Sequence, residues 1–332
     1  MILLPKHRDI YIEPPTARLR GKFKLRVLNL NGKVIRELPE FTNLITNAGL
    51  DGIFNGTPSG FAYIFAACYV GTGNTTPAYT DTTLTTFLAQ TNQLGNSPMG
   101  SWVYVAAAGS VPPYWTSSGV WTFGVGVATG TISEIGIGNG NFTPPSTGSY
   151  TLFSHALIVD GSGNPTTITV LSNEQLQVTY TLELFWNTTT QTGSLSFGGT
   201  TYNLSWLPYN IPTTFGVPSY KISSAGGNPY ITYLYAYNGT LGTPTTLPTG
   251  TSTYINFASA GSVSWATYTV GNYYNDYTMT IPIGYLNLSG GITVLAFQSL
   301  YHSFQIGWSP AIPKTSSYSL TFVNRFAWAR YP

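Results

Sequence analysis

Charge is what this chain has least of. Asp, Glu, Lys and Arg make up 7% of its 332 residues against 15% aromatics, and the formal net charge is +2. Such a composition is familiar from membrane proteins, yet no apolar run approaches the ~18 residues that a spanning helix requires, so no membrane contact is expected. Cysteine is nearly absent too. The single Cys68 excludes an intramolecular disulfide and with it a stapled secreted scaffold. Within Phe65-Ala66-Ala67-Cys68-Tyr69-Val70 it is expected as a buried core thiol. Met1-Ile2-Leu3-Leu4 runs directly into Pro5, Lys6 and Arg8, too short an apolar stretch for a signal peptide.

What is present is a mixture of short apolar segments with Thr, Ser, Asn, Gly and Tyr, the composition of an all-β protein with many turns. The expected fold is two β-sandwich domains, jelly-roll or immunoglobulin-like, preceded by an extended arm and hairpin. The expected division is 1–42 for the basic arm and hairpin, 43–190 for the first sandwich and 191–332 for the second, with a Thr-, Tyr-, Gly- and Pro-rich insertion over about 191–253. One short helix is expected near 46–55, where Thr46 or Asn47 can cap it and Leu50, Ile53 and Phe54 follow at helical spacing. Gly130–Gly138 is expected as one strand and Val120–Val127 as another. Two segments resemble each other: Ile168–Ser172 leads to the apolar run Leu176–Trp186, and Ile312–Ser316 leads to Leu320–Trp328.

The few charges are unevenly placed. Residues 1–40 hold nine of the thirteen Lys and Arg and four of the eleven Asp and Glu, a net of +5, which leaves −3 for the remaining 292 residues. Lys22-Phe23-Lys24-Leu25-Arg26-Val27-Leu28 alternates with period two, Asn31-Gly32 supplies a turn, and Lys33–Leu38 returns, which predicts a hairpin with an apolar inner and a basic outer face. Arg18, Arg20, Lys22, Lys24, Arg26, Lys33 and Arg36 are therefore candidates for docking a partner; the competing expectation is an ordinary solvated strand face. They do not form the broad cluster of a nucleic-acid binder, so nucleic-acid contact is expected to be peripheral at most. If this arm only docks, removing residues 1–40 should leave the β-domains folded.

Residues suited to chemistry are sparse. The histidines are His7, His155 and His302; His155 lies mid-strand in Phe153–Leu157 and His302 beside Tyr301 and Phe304, and both are expected to be structural. Beyond residue 40 the carboxylates are Asp51, Asp81, Glu134, Asp160, Glu174, Glu183 and Asp276, none adjacent enough in sequence to announce a glycosidase pair. Gly71-Thr72-Gly73-Asn74 and Gly136-Ile137-Gly138-Asn139-Gly140 lead into no helix and lack the Lys-Ser/Thr of a phosphate loop, so both are expected as turns. Asp160–Pro165 departs from a calcium loop at Pro165 and Leu171 and is expected as a hairpin turn. No catalytic, metal-binding or cofactor-binding residue is expected, and no cofactor. Aromatic clusters at 206–209, 230–237 and 273–277 offer Trp206, Tyr209, Tyr273 and Tyr274 for stacking on sugar rings, against the alternative of core or subunit packing.

Asn43-Leu44-Ile45-Thr46-Asn47-Ala48-Gly49-Leu50-Asp51, followed by Val70-Gly71-Thr72-Gly73-Asn74-Thr75-Thr76-Pro77-Ala78-Tyr79-Thr80-Asp81-Thr82-Thr83-Leu84, resembles a pattern in structural proteins of the tails and necks of tailed bacteriophages. Asn31–Leu38, Glu134–Ile137 with Leu152–Ala156, and Pro310–Lys314 with Trp328–Arg330 resemble such proteins as well. The resemblance implies a virion component of the tail or neck (adaptor, hub, collar or fibre attachment), made in the host cytoplasm. It would assemble as a homo-oligomer and contact other virion proteins such as portal, adaptor or fibre. A surface of hydroxyls, amides and Tyr suits large desolvated contacts between copies. The alternatives are a carbohydrate-binding adhesin at a fibre tip that contacts a host surface glycan, a head decoration protein and, least, a polysaccharide-degrading tail enzyme.

Overall fold

The computed structural model describes residues 10–12, 16–53, 66–93, 103–139, 150–209, 231–256, 262–299, 303–317 and 319–332. His7, His302, most of the expected arm and the apolar run 61–65 lie outside these residues. The chain is nearly all β. In order, its strands are β1 (Ile10–Ile12), β2 (Ala17–Leu28), β3 (Val34–Glu37), β4 (Phe41–Thr42) and β5 (Leu44–Ile45), followed by the short helix α1 (Asn47–Gly52). Then come β6 (Ala67–Gly71), β7 (Phe87–Thr91), β8 (Val103–Val105), β9 (Tyr114–Thr122), β10 (Gly130–Ile132), β11 (Glu134–Asn139), β12 (Thr151–Leu157), β13 (Ile168–Val170) and β14 (Gln175–Phe185). The remainder are β15 (Gln191–Phe197), β16 (Thr200–Pro208), β17 (Ile231–Tyr237), β18 (Ser252–Asn256), β19 (Ser262–Trp265), β20 (Tyr274–Ile281), β21 (Ile292–Ser299), β22 (Ser303–Ile312) and β23 (Leu320–Arg330).

A ten-stranded sheet, β19-β20-β23-β2-β14-β9-β8 with β1 on β23 and β3 and β4 on β2, forms the common layer. A five-stranded sheet, β5-β12-β11-β6-β7, and a six-stranded sheet, β15-β16-β22-β21-β17-β18, complete the architecture with the small pair β10-β13. Side-chain alternation makes the layers. In β2 the odd residues Phe23, Leu25 and Val27 are fully buried while the even ones stay half-exposed. The register carries that inner face across the sheet: Val27 lies opposite Leu176 of β14, and Val178 opposite Trp121 of β9. Phe322 of β23 meets Phe297 and Trp308 of the six-stranded sheet edge to face or tilted, and one continuous core joins residues of all three large sheets.

Strands from all three expected segments therefore share one sheet. The two look-alike runs become β14 and β23, which flank β2 on opposite sides, the first antiparallel and the second parallel to it. The hairpin of β2 and β3 is present, but Ile10–Ile12 pair with β23 of the same chain rather than extending toward a partner. The stretch expected as an insertion supplies β15, β16, β17 and β18 of the six-stranded sheet. Two strand expectations need correction. Gly130–Gly138 breaks at Ser133, whose N–H bonds to Gly71 O and whose hydroxyl bonds to Gly73 O, sending β10 and β11 into different sheets. The strand at Val120–Val127 ends at Thr122, and residues 125–128 turn through Gly126 at φ 74°.

Deleting residues 1–40 removes the strand between β14 and β23, so the truncated chain is expected to lose its cooperative thermal transition. Circular dichroism melts of the soluble fraction test this, and a truncated chain with an intact transition would show that β2 is dispensable.

Candidate functional site

The site is built from the loop over residues 72–86, which has almost no regular structure. Its fastening point is Glu134, the first residue of β11, whose side chain is 0% exposed. The carboxylate accepts the backbone N–H groups of Gly73 (2.9 Å), Thr85 (3.0 Å) and Thr86 (2.7 Å). Gly73 is required by that approach: a Cβ there would overlap the carboxylate oxygen. His155 of β12, 1% exposed, lies between Glu134 and the loop. Its Nε2 is 3.0 Å from Glu134 Oε2 and its Nδ1 is 2.7 Å from Asp81 Oδ2. With carboxylate acceptors at both nitrogens, both must carry hydrogen, which is the imidazolium form.

Electrostatics agree with that assignment. Burial pushes the His155 pKa down, but hydrogen bonds and charge from Glu134 and Asp81 outweigh it and hold the pKa above the ordinary 6.5. Burial pushes the Glu134 carboxyl up, and His155 with the three backbone N–H groups outweighs that, holding it below the ordinary 4.5.

Next to this cluster stands α1. Thr46 caps it, its Oγ1 accepting from Gly49 N (2.8 Å) and donating to Leu152 O (2.6 Å) of the strand that carries His155. Gly49 lies so close to β12 that a Cβ would overlap the Phe153 carbonyl. From the other side β23 closes on the helix: Trp328 Nε1 donates to Leu50 O (2.8 Å), and Arg330 donates to Ile45 O (2.5 Å) and Asn47 Oδ1 (2.6 Å). The Arg330 guanidinium also covers the ring of Tyr79 at 4.1 Å, in the loop that Glu134 fastens. Asp51 accepts from the Tyr268 hydroxyl (2.6 Å) and Gly271 N (2.7 Å). The stretches 43–51, 70–84, 134–137, 152–156 and 328–330, far apart in sequence, thus meet in one node.

The chemistry open to this node is narrow. Both ring nitrogens of His155 are engaged by carboxylates, which leaves neither free to take a proton from a substrate, and among the described residues no nucleophile is hydrogen-bonded to it. The arrangement is a latch, in which a buried cation between two anions ties a loop to a sheet. Among the described residues no group of three or more His, Cys, Asp and Glu is placed to hold a metal ion.

Most of the basic residues named as docking candidates are ion-paired within the chain. Arg20 lies directly opposite Glu183 and pairs with it at 2.5 Å; Lys22 joins both Glu183 (2.8 Å) and Glu40 (3.1 Å). Lys24 (2.9 Å) and Arg26 (2.5 Å) share Glu37, and Arg36 pairs with Glu174. Within this set Arg18 and Lys33 are exposed with no ion pair among the described residues. The face is a ladder in which five of these seven cations are ion-paired to the chain's own carboxylates. Of the aromatics singled out for sugar stacking, Tyr209 is fully buried and cannot stack on an external ring. Tyr274 is covered by Arg325, whose guanidinium lies 3.7 Å from its ring centroid. Tyr273 is half-buried at φ 56° beside it, and Trp206 is half-buried on β16 against Gly193. These four belong to two different sheets and form no common platform.

Sequence reasoning took His155 as a structural histidine, and missed Asp81 and Glu134 as its partners. The available signal was an acidic residue, Glu134, opening a strand otherwise made of Ile, Gly and Asn.

Glu134→Gln leaves His155 without its buried counter-charge and is expected to cost about 3–5 kcal/mol, read as a fall in urea midpoint. The pH dependence has a definite sign. The raised His155 pKa gives stability that is complete below 6.5 and lost as pH rises through the higher folded value. The lowered Glu134 pKa gives stability that is complete above 4.5 and lost as pH falls through its folded value. The cluster therefore contributes most between those two pH values, and His155→Gln should flatten the decline on the alkaline side. Thermal melts across pH 5–9 check this, and an unchanged slope would contradict it.

Comparison of the chain with protein-family models, with curated proteins and with solved structures finds no match.

Proposed function

We propose that this chain is a structural component of a tailed-bacteriophage virion, in the tail or neck, that assembles through contacts between copies of itself and with other virion proteins. The motif resemblance supplies the virion setting, and one structural observation supports the assembly role. Charged side chains are spent inside the chain, while large aliphatic side chains collect on the outside at one end of the ten-stranded sheet. Glu174 organises that end: its carboxylate takes Arg36 of β3 and Leu171 N, and its carbonyl takes Gly126 N. Around it Leu30 is 67% exposed, and Val34, Ile35, Val125, Val127 and Leu171 are exposed too. Scattered exposed aliphatics are ordinary, but six on β3 and on the turns that meet at Glu174 give apolar surface of the kind that protein contacts cover. Among the described residues Lys33 is the exposed, unpaired cation beside them.

The purified protein is expected to sediment as an oligomer, and Leu171→Asp with Val127→Asp to shift it toward monomer without lowering its melting temperature. Particles carrying a tag on this chain should show it in the tail or neck by electron microscopy. A monomer at high concentration that is absent from assembled particles would overturn the proposal.

A further inference from the structure

The outer end of the six-stranded sheet carries a group of aromatic rings away from the aliphatic end. Tyr233 and Tyr235 of β17 point to the face opposite the buried Leu234 and Ala236, and Tyr254 of the edge strand β18 lies directly across from Tyr235. The three rings form one group, with centroids 6.1 Å apart for Tyr233–Tyr235, 6.1 Å for Tyr233–Tyr254 and 5.7 Å for Tyr235–Tyr254. Tyr254 is 59% exposed. The same face continues to Tyr237, but there the chain roofs it. Leu241 and Leu247 of the turn after β17 pack, with the inner part of Tyr235, against the cluster of Tyr209, Tyr237, Val294 and Ala296, and Gly242 N is held by Gln305 Oε1 at 2.7 Å. The roof leaves the rings of Tyr233, Tyr235 and Tyr254 as a ledge beside a wall. Ser252, opposite Tyr237, puts a hydroxyl at its rim.

Charge selects the ligand. From residue 222 to residue 313 the sequence has no Lys or Arg, and Asp276 is its one Asp or Glu. That Asp276 lies on β20 of the other sheet, bound by Arg325 at 2.8 Å. Bases also stack on aromatic rings, but nucleic acid brings phosphates that need basic partners, and the described residues of this sheet include no Lys or Arg. Acidic or basic peptides find no counter-charge either. Aromatic faces flanked by neutral hydrogen-bonding groups match the C–H faces and hydroxyls of an uncharged sugar. We infer that Tyr233, Tyr235 and Tyr254 form a binding ledge for a neutral oligosaccharide, with pyranose rings stacked on the tyrosines. This goes beyond the structural role and does not depend on it, since the ledge is on a different sheet from the aliphatic end.

Isothermal titration of the full chain with maltohexaose, cellohexaose and chitohexaose tests the inference. At least one is expected to bind, with a Kd that does not change between low and high salt. Tyr254→Ala should weaken it by ~10-fold or more, and Tyr254→Phe, which keeps the ring, by less than ~3-fold. Melting curves of both variants establish that the sheet is intact; if Tyr254→Ala unfolds, Tyr233→Ala and the Phe variant carry the comparison. No binding to any of the three sugars, equal binding in the Ala and Phe variants, or loss of binding with salt would overturn the ledge. So would dissociation of an oligomer by Tyr254→Ala, which would show that a second copy covers these rings. Failure on sugars with an intact oligomer leaves the assembly proposal standing, and a monomer that binds sugar removes assembly alone.

Discussion

A carboxylate taken wholly out of water must be surrounded by donors, and Glu134 sets that requirement for the whole region around it. It has four: the His155 imidazole and the N–H groups of Gly73, Thr85 and Thr86. The protein cannot supply them from one element, because the acid is separated from the loop donors by 48 to 61 positions in sequence. Satisfying it therefore folds the loop back over β6, β11 and β12. The imidazole that neutralises the acid then needs a second anion at its other nitrogen, which brings Asp81 in. Once the loop is held, Tyr79 is in place for Arg330 and its carbonyl for Asn47 N, at 2.7 Å, and α1 is gripped between loop, β12 and β23. One buried charge thus propagates into the contact between the first and last parts of the chain.

The same logic of charges placed for internal use governs the outer face of the ten-stranded sheet. Arg20, Lys22, Lys24 and Arg26 alternate along β2 with the buried Phe23 and Leu25, and their partners stand on β14, β3 and the turn before β4. Further along the sheet Arg325 pairs with Asp276, and hydroxyls pair across strands, Ser118 with Thr181 and Thr280 with Thr321. Half-exposed ion pairs of this kind contribute little stability each, about 0–1 kcal/mol. Their effect is on what the surface offers: a face on which most charges are already paired within the chain, which lowers the penalty for stripping water from them against another protein.

Local features were legible in the sequence and distant ones were not. Period-two alternation in β2, the Asn-Gly turn after it, the Thr46 cap and the buried Cys68 all depend on neighbours within a few residues, and each is found as expected. The resemblance between the segments ending at Trp186 and Trp328 was visible, but not that they would flank β2 in one sheet. The ion pairs of the basic strand were not legible, because Glu183, the partner of Arg20, lies 163 positions away from it. A run of like charges read in isolation looks like an unpaired surface, and only the register of β14 against β2 shows the opposing acids. For the candidate site the histidine was noticed and its role as structural was inferred, whereas Asp81 lies 74 positions from it and carried no local mark. Tyr209 failed as a surface residue for the opposite reason: an aromatic at a strand end is equally suited to core and surface, and Val294, Ala296 and Tyr237 enclose it.

The buried latch raises a question that stability alone does not answer. An apolar side chain of similar volume in place of a buried ion pair is often neutral or stabilising, so net free energy does not account for an Asp–His–Glu chain in the interior. What such a chain does that a Leu cannot is to accept one arrangement only. Three backbone N–H groups must point at Glu134, two carboxylates at His155, and a side chain at position 73 is forbidden. An irregular loop of Thr, Pro and Gly has few other means of choosing a single conformation, because its own side chains bury little. The latch and the clamp around α1 specify how the scaffold closes, while the exposed apolar and aromatic surfaces, the aliphatic end around Glu174 and the tyrosines of β17 and β18, lie elsewhere.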